Sequence, residues 1–271
     1  MWTWLNRVVE HVYRHATAPI VHRWLGGLHT GFVIKGLYLQ RAIGRYLTDG
    51  TKAVFDAGCG PQAQQAVLLA RRYPAHRFSG CDLQLDRAAV VTQARRLGLT
   101  NLDVVEGDLT RHEPVPRYDV IYTIDVLEHI EDVESVLDRL IASLRAGGAL
   151  LIHVPSPAYA ERAHTEEQDW SRFREHQAGD HHVHDGFEGK QIRTWLERRG
   201  LSVLAVRPTF GPVAASLAAA YRRGERRGVR GIGLLLLAPA VAAVLWEWLV
   251  APVRGEGLWV EAVKPSAGAR L

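Results

Sequence analysis

The chain has 271 residues, 47% of them hydrophobic and 23% charged, which excludes a mostly disordered polypeptide. Its length suits one large α/β domain with insertions, or two small ones. The formal net charge is +4, from 33 Lys and Arg against 29 Asp and Glu, too mild to argue for nucleic-acid binding.

The charge is unevenly spread. Residues 51–212 carry 19 basic and 23 acidic side chains, while 1–50 and 213–254 each carry six basic and two acidic. The two basic segments also hold Trp2, Trp4, Trp24, Trp246 and Trp248. Basic charge with Trp suits a membrane-facing surface and equally an Arg-rich partner interface. Two cysteines, Cys59 and Cys81, cannot build a disulfide framework, so a reducing, cytoplasmic compartment is the simple reading. The first residues, MWTWLNRVVEHVYRH, lack the apolar core of a signal peptide.

In chain order, residues 2–47 read as helical, with Trp4, Val8 and Val12, then Ile20, Trp24 and Leu28 at helix-like spacing. Asp49-Gly50 ends this N-terminal cap. From residue 53 short apolar strands (53–58, 78–83, 102–108, 118–125, 148–155) alternate with amphipathic stretches (64–73, 86–97, 132–144). That alternation predicts a parallel sheet covered on both faces, with right-handed crossovers. Residues 156–187 are polar, rich in His and acid, and suggest a lid or binding loop. A helix follows over 189–200 and a strand over 201–212, and a last strand closes the chain over 257–265. The reading divides the chain into a helical cap (1–50), a central domain (51–212 with 255–265) and an apolar, basic helical insertion (213–254).

The sharpest local signal is VFDAGCGPQ, residues 54–62. A strand runs into Asp56, then Gly58 and Gly60, then a helix. Glycines there let backbone approach a ligand, and parallel sheets bind ligands at the carboxyl ends of their strands. Asp82 ends the next strand, where a carboxylate can accept both hydroxyls of a ribose. Asp108 ends the third, placed to reach a base edge. YDVIYTIDVLEHIED (118–132) and LRAGGALLIHVP (144–155) follow.

Together these residues resemble the class I S-adenosylmethionine-dependent methyltransferases, over roughly 50–212 and 255–265. The resemblance implies a Rossmann-like seven-stranded sheet with helices on both faces, its last strand antiparallel and inserted between the fifth and sixth. It implies that Asp56, Ala57, Gly58, Cys59 and Gly60 form the loop under the methionine part of S-adenosylmethionine. Asp82, with Leu83 beside it, would take the ribose hydroxyls, and Asp108 with Leu109 the adenine. Asp125 and Val126 would line the wall where cofactor meets substrate. Gln62 stands where the family often has a third Gly. A nicotinamide-dependent oxidoreductase and a non-catalytic scaffold are the alternatives; Asp56, EHIED and GGALLIHVP speak against the first.

A sulfonium methyl is already activated, so positioning and water exclusion can supply most of the rate enhancement. A base helps where the acceptor is protonated. His129 is the first candidate, and His182 and His184 in Asp180-His181-His182-Val183-His184-Asp185 are the second. Three histidines in four residues also suggest metal, but no fixed-spacing partner stands nearby, and no metal is expected.

In the insertion, Ile232 to Val253 carries one charge, Glu247. The run is long enough to span a bilayer. However, the strands on either side must share one sheet, and Pro239 is expected to break the run into two short helices. They suit either the bilayer interface, with Arg222, Arg223, Arg226, Arg227 and Arg230 on anionic head groups and Trp246 and Trp248 at the boundary, or a homodimer or subdomain core. Membrane contact through 222–253 points to an amphipathic, lipid-like acceptor. Otherwise a small molecule is expected, with oxygen the favoured accepting atom and no nucleic-acid partner.

Overall fold

The computed structural model describes residues 29–113, 115, 117–166, 182–229 and 231–266. The helix expected over 1–28, most of the polar stretch before His182, and Arg230 lie outside the described residues.

Seven strands form one sheet: β1 (Ala53–Ala57), β2 (Arg77–Asp82), β3 (Leu102–Glu106), β4 (Tyr118–Ile124), β5 (Leu144–Pro155), β6 (Ser202–Thr209) and β7 (Gly257–Val263), in the order β3-β2-β1-β4-β5-β7-β6. The first five are parallel, and β7 runs antiparallel to both β5 and β6. This is the expected sheet. Its order reverses between β1 and β4, the switch point at which such sheets open a crevice for ligands.

Helices cover both faces. On one, α4 (Val133–Ser143) and α6 (Gly189–Arg198) bury Val136, Leu137, Leu140 and Leu196 against Phe55, Ile121, Leu150 and Val260. Asp132 caps α4 by accepting the Ser135 amide at 2.9 Å. On the other face, α1 (Thr30–Ile43), α7 (Pro212–Arg226) and α8 (Ile232–Val250) share a core with Val54, Tyr122, Leu151 and Trp259. Helices α2 (Gln64–Arg72) and α3 (Arg87–Arg96) pack by the β2–β3 end, and α5 (Pro157–Glu166) follows β5.

The insertion departs from its expected form. Pro239 does not break the apolar run, which is one continuous helix. Proline removes a single bond to the Leu235 carbonyl, and both residues lie on the exposed side of α8, away from the core. The hairpin partner of α8 is α7, which holds the basic stretch. Thr209 and Gly257 face each other across β6 and β7, so the insertion leaves and returns at one end of the sheet. That arrangement excludes a single membrane crossing between them.

The one charge in α8 ties the insertion down. Glu247 accepts hydrogen bonds from Tyr38 Oη at 2.5 Å and from the Gly211 amide at 2.6 Å. Burial pushes its carboxyl above the usual range. Trp248 also turns inward, edge-on to Tyr38 and beneath the Arg41 guanidinium, whereas Trp246 stays exposed. Glu247→Ala is expected to cost about 2–3 kcal/mol in urea unfolding, because it orphans the Tyr38 hydroxyl and the Gly211 amide. Far-ultraviolet circular dichroism should keep the sheet signal.

Candidate functional site

The β1–α2 loop is shaped by two glycines. Gly58 (φ +82°) has no room for a side chain: a Cβ there would lie 2.3 Å from Val126. Gly60 (φ +71°) instead faces open space. The Gly58 and Cys59 amides both donate to the Cys81 carbonyl, which stitches the loop to β2. Asp56 is buried beneath it and accepts from Tyr122 Oη at 2.8 Å. Burial pushes its carboxyl up to about 7, with nearby Asp82 adding to the rise. Gln62, at the missing third glycine, is exposed and accepts from Gln64 Nε2.

The ends of the next two strands carry carboxylates, as expected. Asp82 accepts from the Gly60 amide at 2.8 Å and the Gln84 amide at 2.9 Å, which fixes its plane, and Leu83 stands exposed beside it. Asp108 caps the short 3-10 turn Leu109–Arg111, and hydrogen bonds from the Thr110 hydroxyl and amide hold its carboxyl below the usual range. With Asp56, Gly58, Cys59, Gly60, Asp125 and Val126, these residues line one cleft of about 1270 Å³. The cysteines offer no reactive thiol, because burial pushes both upward and their sulfurs pack against Gly80 and Gly107.

Asp125, after β4, adopts φ +53°, a strained value for a residue with a side chain. Its carboxylate holds the conformation. One oxygen meets His153 Nδ1 at 2.6 Å and the other pairs with Lys35 Nζ from α1. Burial disfavours the Asp125 charge, but Lys35 and His153 outweigh it and keep the carboxyl far below the usual range. Lys35 is likewise held above its ordinary value, since Asp125 outweighs burial. His153 is buried in β5, and its Nε2 lies 2.9 Å from Thr209 Oγ1.

Beyond this junction lies a second cavity of about 420 Å³, lined among others by Glu128, His129, Tyr159, His182, Arg222 and Arg226. His29, Lys35, Asp125 and His129 border both cavities. The His129 and His182 rings meet edge to face, 4.8 Å apart. His184 is not among the lining residues. Its Nε2 lies 3.0 Å from the Ile130 carbonyl, its amide donates to Glu128, and its ring leans on Phe187, so it fastens the segment that carries His182. Arg222 and Arg226 face this cavity, contrary to the head-group role expected from sequence. Exposed Arg223 and Arg227 remain on the outer surface.

The sequence reading missed Lys35, His153 and His29. Two left a trace: Lys35 is the one charge in TGFVIKGLYLQ, and His153 the one polar residue in GALLIHVP. A polar group inside an apolar run must find a buried partner or a ligand. His29 caps α1 by accepting the Phe32 amide, and burial lowers its pKa, with Lys35 adding to the drop.

A Rossmann-like sheet with a glycine loop and three carboxylates along the carboxyl ends of its first strands defines a nucleotide-type α/β binding domain. Residues 36–206 match the family model described as a methyltransferase domain, well over half of the chain, and the protein belongs to that family, among the class I S-adenosylmethionine-dependent methyltransferases. The chain is similar to a trans-aconitate 2-methyltransferase of Azoarcus sp. (strain BH72), 30% identical over 45% of this chain and 46% of the relative. It is also similar to an (S)-coclaurine N-methyltransferase of Papaver somniferum, 27% identical over 43% of this chain and 32% of the relative. The matches thus span under half the length of these curated relatives. Among solved structures, phosphoethanolamine N-methyltransferase 2 of Haemonchus contortus with S-adenosyl-L-methionine superposes with TM-score 0.58 at 16% identity, covering 86% of this chain and 52% of that one. The [4+2]-cyclase SpnF does so at 0.55 and 21%, covering 86% and 81%, so the fold by itself does not set the reaction.

The buried Asp56 gives stability a pH dependence. The native state holds a proton that the unfolded chain releases near pH 4. Stability should therefore fall as pH rises from about 4 to 7, by up to about 1.4 kcal/mol per pH unit, and then level off. Urea unfolding at pH 5 and 7.5 should show this slope in the wild type and a markedly shallower one in Asp56→Asn, where only other shifted groups such as Glu247 still contribute.

Proposed function

We propose that the protein binds S-adenosylmethionine in the larger cleft and transfers its methyl group to a small or lipid-like acceptor in the inner cavity. The observation that carries the reading is the shared border of the two cavities at His29, Lys35, Asp125 and His129. A donor over the glycine loop and an acceptor among the histidines would meet there, and positioning is the main demand of methyl transfer. The cofactor would supply a methyl already activated on a sulfonium.

The cleft residues fit such a ligand. Gly60 leaves room for close approach, the fixed Asp82 carboxylate suits ribose hydroxyls, and ionised Asp108 suits a base edge. Lys35, Asp125 and His153 form a hydrogen-bonded wall at the junction. We assign His129 and His182 to the acceptor oxygen, with His184 as the residue that positions the His182 segment. In this division, 51–212 with 255–265 holds the cofactor, while α1 with His29, and α7 with α8, close the acceptor side.

The outer face of α8 supports a peripheral membrane role. Leu235, Leu245, Trp246, Leu249, Val250 and Val253 are exposed, and α8 is the one described helix long and apolar enough to cross a membrane. Exposed Arg223 and Arg227 precede it and exposed Arg254 follows it, as in a helix lying in the interface.

Calorimetry with S-adenosylmethionine and S-adenosylhomocysteine should give micromolar binding that Asp82→Ala weakens by about 1–3 kcal/mol. No binding to folded wild-type protein would sink the reading. With an acceptor found in a panel of hydroxyl, carboxyl and amine compounds, His129→Ala should lower turnover at least tenfold while cofactor affinity is kept. A protein that binds the cofactor but methylates nothing in the panel favours the scaffold. Anionic vesicles should co-sediment wild type and release the Leu245→Glu, Leu249→Glu double variant; an unbound wild type removes the membrane role.

A further inference from the structure

The histidine segment found its missing partner in space. Ligand atoms of Glu128, His129 and His182 all lie within 4.8 Å of one another at the wall of the inner cavity. Glu128 and His129 come from the 3-10 turn after β4, and His182 from the chain that leads into α6. The spacing rule failed because the ligands are far apart in sequence.

We propose that Glu128, His129 and His182 hold one divalent cation, with open coordination positions facing the acceptor cavity. Two imidazoles and one carboxylate suit a borderline ion such as Zn²⁺ or Mn²⁺, and three protein ligands with an open position mark a catalytic rather than a structural site. A bound ion at about 2.0–2.2 Å from each atom would draw the three side chains closer together than they stand here.

The backbone around the site is already tied together. Both the Val183 and His184 amides donate to the Glu128 carbonyl, at 2.8 and 3.1 Å, which clamps the His182 segment to the turn. The His129 amide donates to Val126, closing the turn itself. Tyr159 stacks on the His182 ring at 5.9 Å. Glu128 is only 1% exposed, so its carboxylate is withdrawn from bulk water beside two imidazoles. The cavity's other charges are mixed: Lys35, Arg222 and Arg226 are balanced by Asp125, Glu225 and Glu256.

The role of the ion rests on the methyl-transfer reading, but its binding does not. A cation here would take an oxygen of the acceptor and lower the pKa of a bound hydroxyl, whose proton passes to solvent. The two histidines then act as ligands instead of free bases.

The test uses the full-length protein stripped with EDTA and titrated with Mn²⁺ and Zn²⁺ by calorimetry, without cofactor. One equivalent should bind. Glu128→Gln and His182→Ala should each weaken it at least tenfold, while Asp185→Asn, exposed beside the site, should leave it intact. If Glu128→Gln fails to fold, His182→Ala decides. No binding to folded wild type overturns the proposal, and so does undiminished binding in His182→Ala. A parallel titration with S-adenosylmethionine separates the two readings. Cofactor binding without metal binding overturns only the cation site, and metal binding without cofactor binding overturns only the cofactor assignment.

Discussion

A partly buried carboxylate joins the two halves of this molecule. Asp125 leaves the sheet at the point where strand order reverses, and it does so at a positive φ. A lone buried charge would cost several kcal/mol, so the position is tenable only with partners. They come from opposite directions: His153 from the neighbouring strand and Lys35 from α1. Each fixes the other's place, and together they set the wall between the two cavities. His153 is anchored in turn by Thr209, and Val126, next to Asp125, blocks any side chain at Gly58. The glycine loop, the end of β4, the end of β6 and the first described helix are thus one mechanical unit.

The reversed strand makes the second half of that unit possible. Because β7 runs antiparallel between β5 and β6, the chain must travel from the end of β6 back to the start of β7 at the same edge of the cleft. The protein uses this return to build α7 and α8 over the face that already carries α1. Glu247 bonds to Tyr38 of α1 and to the start of α7, so the three helices are registered on one another as well as on the sheet. The same helices bring Arg222 and Arg226 to the inner cavity.

Much of this was legible in the sequence. The strands and the strand-end acids Asp56, Asp82 and Asp108 follow from patterns of a few residues, whereas the seven-strand order came from the family resemblance. What was illegible depends on long-range placement. Pro239 looked like a breaker because proline breaks helices where the freed carbonyl is buried, and here it is exposed. Arg222 and Arg226 looked like surface charges because composition does not say which side of a helix faces a cavity. His184 resembled a catalytic residue by its neighbours, whereas its hydrogen bond to the Ile130 carbonyl gives it a fastening task. Lys35 was visible as an odd charge in an apolar run, but its partner, Asp125, lies in a different motif.

The family match has an edge that falls in an informative place. It begins at residue 36 and ends at 206. Asp56, Gly58, Gly60, Asp82, Asp108 and Asp125 lie inside it, so the larger cleft falls within the family's domain. Lys35 stands one residue before it, and His29, Thr209, Phe210, Arg222, Arg226 and Glu256 lie outside on either side. The inner cavity draws on both, because Glu128, His129, His153, Tyr159 and His182 lie inside the match. A common sheet can carry many different cavities, and here α1, α7 and the ends of β6 and β7 complete the inner one. Substitutions confined to those elements would reshape the inner cavity while leaving Asp82 and Asp108 in the larger cleft.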